Sequence, residues 1–528
     1  MSGSGAGADR ENVMRSLINV VLALAAALSL GAPAAAAEAP AQVIVAIDTA
    51  HPGPRIEPAV QGQFTEHLGR GIYEGIWVGP GSAIPNTNGY RNDVLAALRR
   101  IHVPVIRWPG GCFADEYDWR DGIGPRAQRP ARINRYWGGV IETNAFGTHE
   151  YLNFVEALGA DAFVSGNMGS MTPQAMGRWF EYMTASTPSA LVQERHRNGR
   201  ERPWRIRYFG FGNETWGCGG NMRPEYSADL HRRYQSFIAD PPGAPHVVRV
   251  ASGSHDEAYD FTEVMMRQAA PFMDAISLHY YTLPGNWDHK GAALGFTESE
   301  WAVTLAKARR IDDYITRHSA IMDRYDPQRR VALFVDEWGT WYDQEQGSTP
   351  GFLYQQNSLR DAEVAALTLN IFHRHTDRVK LAAIAQMVNV LQAMILTDGP
   401  RMLTTPTYHV FDMYQVFQGA TPYPATVDGP HYRGGGQDLP MVEASAARGA
   451  DGRLYLALVN LDPDRPAHVA TALTGRATGR ILTGPAMDSH NTFDAPNAVH
   501  PVPYAGSNAG GRLSFDLPPR SVAVVAIQ

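Results

Sequence analysis

The chain has 528 residues, 44% hydrophobic and 19% charged, a balance that buries a large core and is too long for one ordinary domain. Its net charge of −7 argues against nucleic acid or an anionic membrane as partner. Two cysteines exclude a disulfide scaffold or a Cys-rich zinc site, while 51 Gly and 36 Pro foretell many turns.

In chain order, Met14 and Arg15 begin a short basic stretch, residues 17–30 are apolar, and Ala34 to Ala37 offer small residues for cleavage. This pattern reads as a signal peptide over 1–37, so the chain is expected to be exported, periplasmic or secreted, with no membrane partner after processing. Residues 38–54 carry a strand, 43–47, expected to pair into a later β-sandwich. From 55 to 398, short apolar runs at 60–64, 103–108, 161–165, 207–212, 247–251, 275–279, 331–335 and 380–385 alternate with helical stretches. In 92–101, Val94, Leu95, Leu98 and Ile101 share one face after the cap candidate Asn92. In 358–375, Val364, Leu367, Ile371 and Phe372 do the same, and His373 and His375 read as a solvated helix end. Eight such units predict an α/β fold, a (β/α)8 TIM barrel. The competing doubly wound sheet lacks its Gly-rich nucleotide turn. From 399 to 528 the strand-like runs 453–461, 512–517 and 521–527 predict a C-terminal all-β sandwich, jelly-roll-like, with Leu454, Leu456 and Leu458 alternating.

Functional side chains of such a barrel sit where strands end. Those ends offer Glu66, Arg107 and the loop to Cys112, Asn167, Asn213-Glu214, His279 with Tyr281, Asp336-Glu337, and Gln386 with Asn389. Acids, amides and aromatics crowding one rim suit a sugar: polar groups bind hydroxyls and aromatic faces cover the ring. Glycoside hydrolysis needs two carboxyl groups, one protonated and one ionised, and Glu214 and Glu337 are the candidates. His67 and His279 show no metal-ligand spacing, and neither metal nor cofactor is called for. Cys112 and Cys218 follow strands two and four on the same rim, either bonded to each other or as separate buried thiols.

The segments FGFGNETWGCGG and LFVDEWGTWYD resemble the acid/base and nucleophile segments of retaining glycosidases that carry these groups on strands four and seven. GQFTEHLGRGIYEGIW, IRWPGGCFADEYDWRDGIGP and LAAIAQMVNVLQAMILTD further resemble glycoside hydrolase family 51, the α-L-arabinofuranosidases. The resemblance runs from about residue 40 to the end. It implies Glu214 as acid/base, Glu337 as nucleophile, and Asn213 on the sugar 2-hydroxyl. It implies Glu66, Tyr281 and Gln386 on the rest of the sugar, Trp341 in the pocket wall, and Arg107 and His279 in support. Arg107 would keep Glu337 ionised. Cys112 departs from the pattern, since many members carry a sugar-contacting Asn there. The implied activity is exo-release of terminal α-L-arabinofuranosyl units from arabinan, arabinoxylan or derived oligosaccharides, by an enzyme that can form homo-oligomers. Another retaining glycosidase of the same clan, an endoglucanase or β-xylosidase, and a non-catalytic carbohydrate-binding protein are the alternatives.

Overall fold

The computed structural model describes residues 39–528. The proposed signal peptide lies outside the described residues. Eight parallel strands close a barrel in chain order: Gly62–Phe64, Val105–Trp108, Asp161–Gly166, Ile206–Phe211, Val248–His255, Ala275–Thr282, Ala332–Thr340 and Val379–Ala385. The last pairs with the first, Ala385 opposite Phe64. The predicted barrel is thus present. Its strands are short and nearly continuously apolar because helices and barrel interior bury both faces. Phe64, Val105, Phe163, Tyr208, Val250, Phe334 and Leu381 fill the barrel interior.

The helix predicted after Asn92 runs Asn92–Arg100, but Asn92 is not its cap. The cap position is Arg91, and the Asn92 carboxamide instead accepts from the Thr87 hydroxyl at 2.7 Å. Arg91 is tied to Asp93 and to the carbonyls of Gly399 and Arg401, so this helix start is held by tertiary contacts.

Beyond the barrel, two sheets form a sandwich. One has the order Ala425–Asp428, Ala41–Ile47, Ala467–Thr471, Arg512–Leu517, Ser507–Ala509. The other has Thr421–Tyr423, Val442–Arg448, Leu454–Asn460, Ser521–Ile527, Ala477–Leu482, Val502–Ala505. Ala41–Ile47 lies inside the first sheet, antiparallel to one neighbour and parallel to the other. Leu456 and Leu458 face the other sheet, packing with Val43, Val45, Val469 and Phe515. The intervening Ala457 and Val459 join the barrel's outer core.

That second buried face changes the helix Leu359–Arg374. The sequence suggests one apolar face, whereas the structure buries every residue from Leu359 to His373 between barrel and sandwich. His373 is therefore not solvated: its Nδ1 meets the Ser445 hydroxyl at 3.0 Å. A further helix, Pro406–Tyr414, is also wholly buried and so shows no amphipathic pattern. Its Phe411 stacks on Trp338, and its Tyr414 hydroxyl donates to Asn370.

Candidate active site

The C-terminal ends of the strands gather the polar residues. Strand seven ends in Glu337 and strand four leads to Glu214, and a carboxylate oxygen of each lies within 4.8 Å of the other and of a His279 ring nitrogen. Two carboxylates this close repel unless cations intervene. Arg107, from strand two, supplies one: its Nη1 donates to Glu337 Oε1 at 2.7 Å, its Nη2 to Asn213 Oδ1 at 2.6 Å, and its Nε lies 3.4 Å from Asp336. Its guanidinium lies over the Phe64 ring. Burial works against its charge, but Asp336 and Glu337 outweigh that and hold its pKa above the usual value.

His279 is the second cation. Nδ1 is 2.9 Å from Glu214 Oε1 and 3.6 Å from Glu337 Oε2, and Nε2 is 3.4 Å from Asp336. Burial lowers its pKa, yet Glu337, Asp336 and Glu214 overcome this and push it up to about 10, so the charged ring donates from Nδ1 to Glu214 while Nε2 faces Asp336. Tyr281 completes the setting of Glu337 by donating its hydroxyl to Oε2 at 2.7 Å.

Across the mouth, Glu66 is buried. Its Oε1 accepts from the Phe113 N–H and the Trp137 indole N–H, both at 2.9 Å, and the Gln386 amide reaches Oε2 at 3.3 Å. Burial, aided by the charge of Glu337, raises its pKa to about 7 against the pull of the Phe113 amide. The Gly110-Gly111 pair has a steric reason here. A Cβ on Gly111 would sit 2.7 Å from Glu66 Oε2, and one on Gly110 2.9 Å from Oε1.

Cys112 and Cys218 are joined as a disulfide with Cα atoms 5.5 Å apart. It ties the loop after strand two to the loop after strand four, and the Cys218 sulfur rests 3.6 Å from Glu214 Oε2. A disulfide sulfur carries no proton, so this is contact rather than a hydrogen bond. Glu214 itself has φ +42°, a left-handed conformation that only strong surroundings impose on a residue with a side chain.

Glu66, Arg107, Asn213, Glu214, His279, Tyr281, Glu337 and Gln386 therefore converge, and Trp341 joins through edge contact with Tyr281 at 5.0 Å. Three other strand-end candidates do not converge. Asn167 bonds the Tyr117 carbonyl and Ser170, Asn389 bonds the Arg70 carbonyl and Thr397, and His67 sits between Glu142 and the Trp108 indole.

Two contributors escaped sequence reasoning. Asp115 is buried and accepts the N–H groups of Met168, Gly169 and Asn213, clamping the ends of strands three and four. Its burial raises its pKa to about 7 against those three donors. Nothing in the run Ala114-Asp115-Glu116 marks Asp115 over its neighbour. Trp137 arrives on a hairpin formed by Arg132–Asn134 and Val140–Glu142. Its only sequence signal is the turn-forming Gly138-Gly139 that follows.

A closed parallel barrel with paired carboxylates after strands four and seven, set among cations and sugar-compatible polar groups, defines a glycoside hydrolase of the retaining type. Two family models match: "Alpha-L-arabinofuranosidase 1 domain" over residues 97–294 and "Alpha-L-arabinofuranosidase C-terminal domain" over 336–521. The latter begins inside barrel strand seven, so its bounds differ from those of the sandwich. An "Intracellular exo-alpha-L-arabinofuranosidase" of Bacteroides ovatus is 46% identical over 480 residues, covering 90% of this chain and 93% of that one. The crystal structure of the GH51 arabinofuranosidase from Xanthomonas axonopodis pv. citri superposes with a TM-score of 0.91 at 52% identity, over 92% of this chain and 100% of that chain. An α-L-arabinofuranosidase from Thermotoga maritima, in complex with arabinose, gives 0.81 at 28% identity over 92% and 99%. The chain belongs to the family 51 α-L-arabinofuranosidases.

The comparisons overturn the expectation of export. The Bacteroides ovatus relative, alike over nearly its whole length, is named intracellular. A basic residue before a short apolar run is a compositional signal, and composition alone does not establish translocation.

Proposed function

We propose that the chain releases terminal α-L-arabinofuranosyl units with retention of configuration. The observation that carries this is the approach of a Glu214 and a Glu337 carboxylate oxygen to within 4.8 Å. That suits the close pair of a retaining enzyme, in which one carboxylate attacks directly, and not the wider spacing of about 6.5–9.5 Å that an inverting enzyme needs. Glu337, aligned by Arg107 and Tyr281, is the nucleophile that attacks the anomeric carbon. Glu214, whose side chain is 18% exposed, protonates the departing oxygen. It then takes a proton from the water that hydrolyses the glycosyl-enzyme. Asn213, Glu66 and Gln386 hold the sugar hydroxyls.

The names of the relatives support the furanoside, and the first of them supports exo action inside the cell. Intracellular action favours short arabinose-containing oligosaccharides over polymeric arabinan or arabinoxylan. A panel of nitrophenyl glycosides followed by proton NMR tests the reading. The expected result is turnover of the α-L-arabinofuranoside with α-arabinofuranose as first product. Preference for a β-xyloside or β-glucoside, or a β-configured first product, would refute it.

A further inference from the structure

An aromatic path leads from the buried carboxylates to water. Tyr281, bonded to Glu337, meets the Trp341 ring edge-on at 5.0 Å, and Trp341 meets Trp287 at 5.4 Å, nearly perpendicular. Trp287 lies in the loop after barrel strand six and is 53% exposed. The exposed indole is not an isolated surface residue: through Trp341 it is continuous with the ring that bonds Glu337, and an amphipathic aromatic in that position offers a stacking face to a ligand.

The loop that carries it is braced. Gly285 N–H donates to the Lys290 carbonyl and Asn286 N–H to that of His289. The Asn286 side chain accepts from the N–H groups of Asp288 and His289. Asp343, two residues after Trp341, accepts from the N–H groups of Lys290 and Gly291. Lys290 Nζ donates to the Trp287 carbonyl at 2.7 Å and lies 5.8 Å from the Trp287 ring and 5.9 Å from the Trp341 ring. A turn with so many internal bonds presents the indole in a fixed place, and a ring held in place loses little entropy on binding. Trp287 is thus positioned but uncovered.

We propose that Trp287 forms an outer subsite that stacks the sugar on the leaving-group side of the scissile bond, with Lys290 offering donors to its hydroxyls. The proposal rests on the exo reading above, under which every sugar outside the pocket belongs to the leaving group. The path runs outward from Glu337, so its exposed end meets that unit and not the arabinosyl group being transferred.

The test uses Trp287→Ala and Trp287→Phe in the full chain with two substrates. Arabinofuranosyl fluoride has a leaving group too small to reach Trp287, and a linear arabinofuranosyl trisaccharide spans it. Free arabinose, as inhibitor, reads the inner pocket alone. The expected result is a loss of about 5- to 20-fold in kcat/KM on the trisaccharide for Trp287→Ala, mainly through KM, partly restored in Trp287→Phe. Turnover of the fluoride and inhibition by arabinose should stay within about twofold of the unmutated chain. Trisaccharide kinetics within that range would overturn the proposal. So would equal losses on all three probes, which would assign Trp287 to bracing Trp341. An unmutated chain that hydrolyses neither substrate overturns the activity reading and this proposal together, and hydrolysis of both without discrimination by the variants overturns the proposal alone.

Discussion

At the residue scale, the site is an arrangement of charge. Glu214, Glu337 and Asp336 are drawn together and Arg107 and His279 lie among them, so each acid has a cationic neighbour in a largely water-free setting. Sequence reading singled out Glu214 and Glu337, the pair proposed as catalytic, because they are strand-end acids flanked by Asn, Gly and Trp. It did not find Asp115, because nothing in the local sequence sets one of two adjacent acids apart from the other. The Cys112–Cys218 bond holds Asn213 and Glu214 from behind, the Asn213 amide lying 3.8 Å from the Cys218 sulfur. The proposed division of labour between the two glutamates has a direct consequence. Glu214→Ala should slow substrates with poor leaving groups by about 10²- to 10⁴-fold, because they need the proton most. Azide should restore turnover of an activated substrate and yield the azide of retained configuration, detected by NMR. The same rescue by Glu337→Ala would reverse the two roles.

At the element scale, the helix Leu359–Arg374 shows how burial exceeds what one helical face predicts. The sandwich covers the side that the barrel does not, and Glu363 is enclosed with neither carboxyl oxygen hydrogen-bonded. Burial raises its pKa well above the ordinary value, opposed by the charge of Arg520 and aided by that of Asp462. The folded chain therefore keeps this proton at pH values where an unfolded Glu, titrating near ~4.3, has lost it. Stability from this group is present at acidic pH and falls as pH rises, because the unfolded state then binds fewer protons. Glu363→Gln, which cannot ionise, should flatten the decline of Tm between about pH 5 and 8 and melt higher than the unmutated chain at the upper end. Thermal melts across that range decide it, and parallel curves for the two proteins would count against a neutral buried carboxyl.

At the scale of the whole molecule, the first described strand joins the chain's beginning to its end. Ala41–Ile47 lies between Ala425–Asp428 and Ala467–Thr471, with Val43 and Val45 in the sandwich core. A chain beginning at residue 50 should lose about 3–6 kcal/mol from those two valines alone and expose two strand edges. The expected readout is a lower Tm and a tendency to associate; an unchanged melt would place the sandwich's stability elsewhere. Much of this architecture was legible in the chain itself. The period of apolar residues determined eight strand-and-helix units, because a strand buried on both faces needs a continuous apolar run, and the strand-end motifs pointed to the two glutamates proposed as catalytic. Tertiary structure alone decided which faces were buried twice, as at His373, Glu363 and Ala457, since a residue's second neighbour comes from a distant part of the chain. It also decided which strand-end polar groups converge. Gln386 reaches Glu66 while Asn389, three residues on, turns to the Arg70 carbonyl, and that choice depends on a backbone path that no local pattern of residue types encodes.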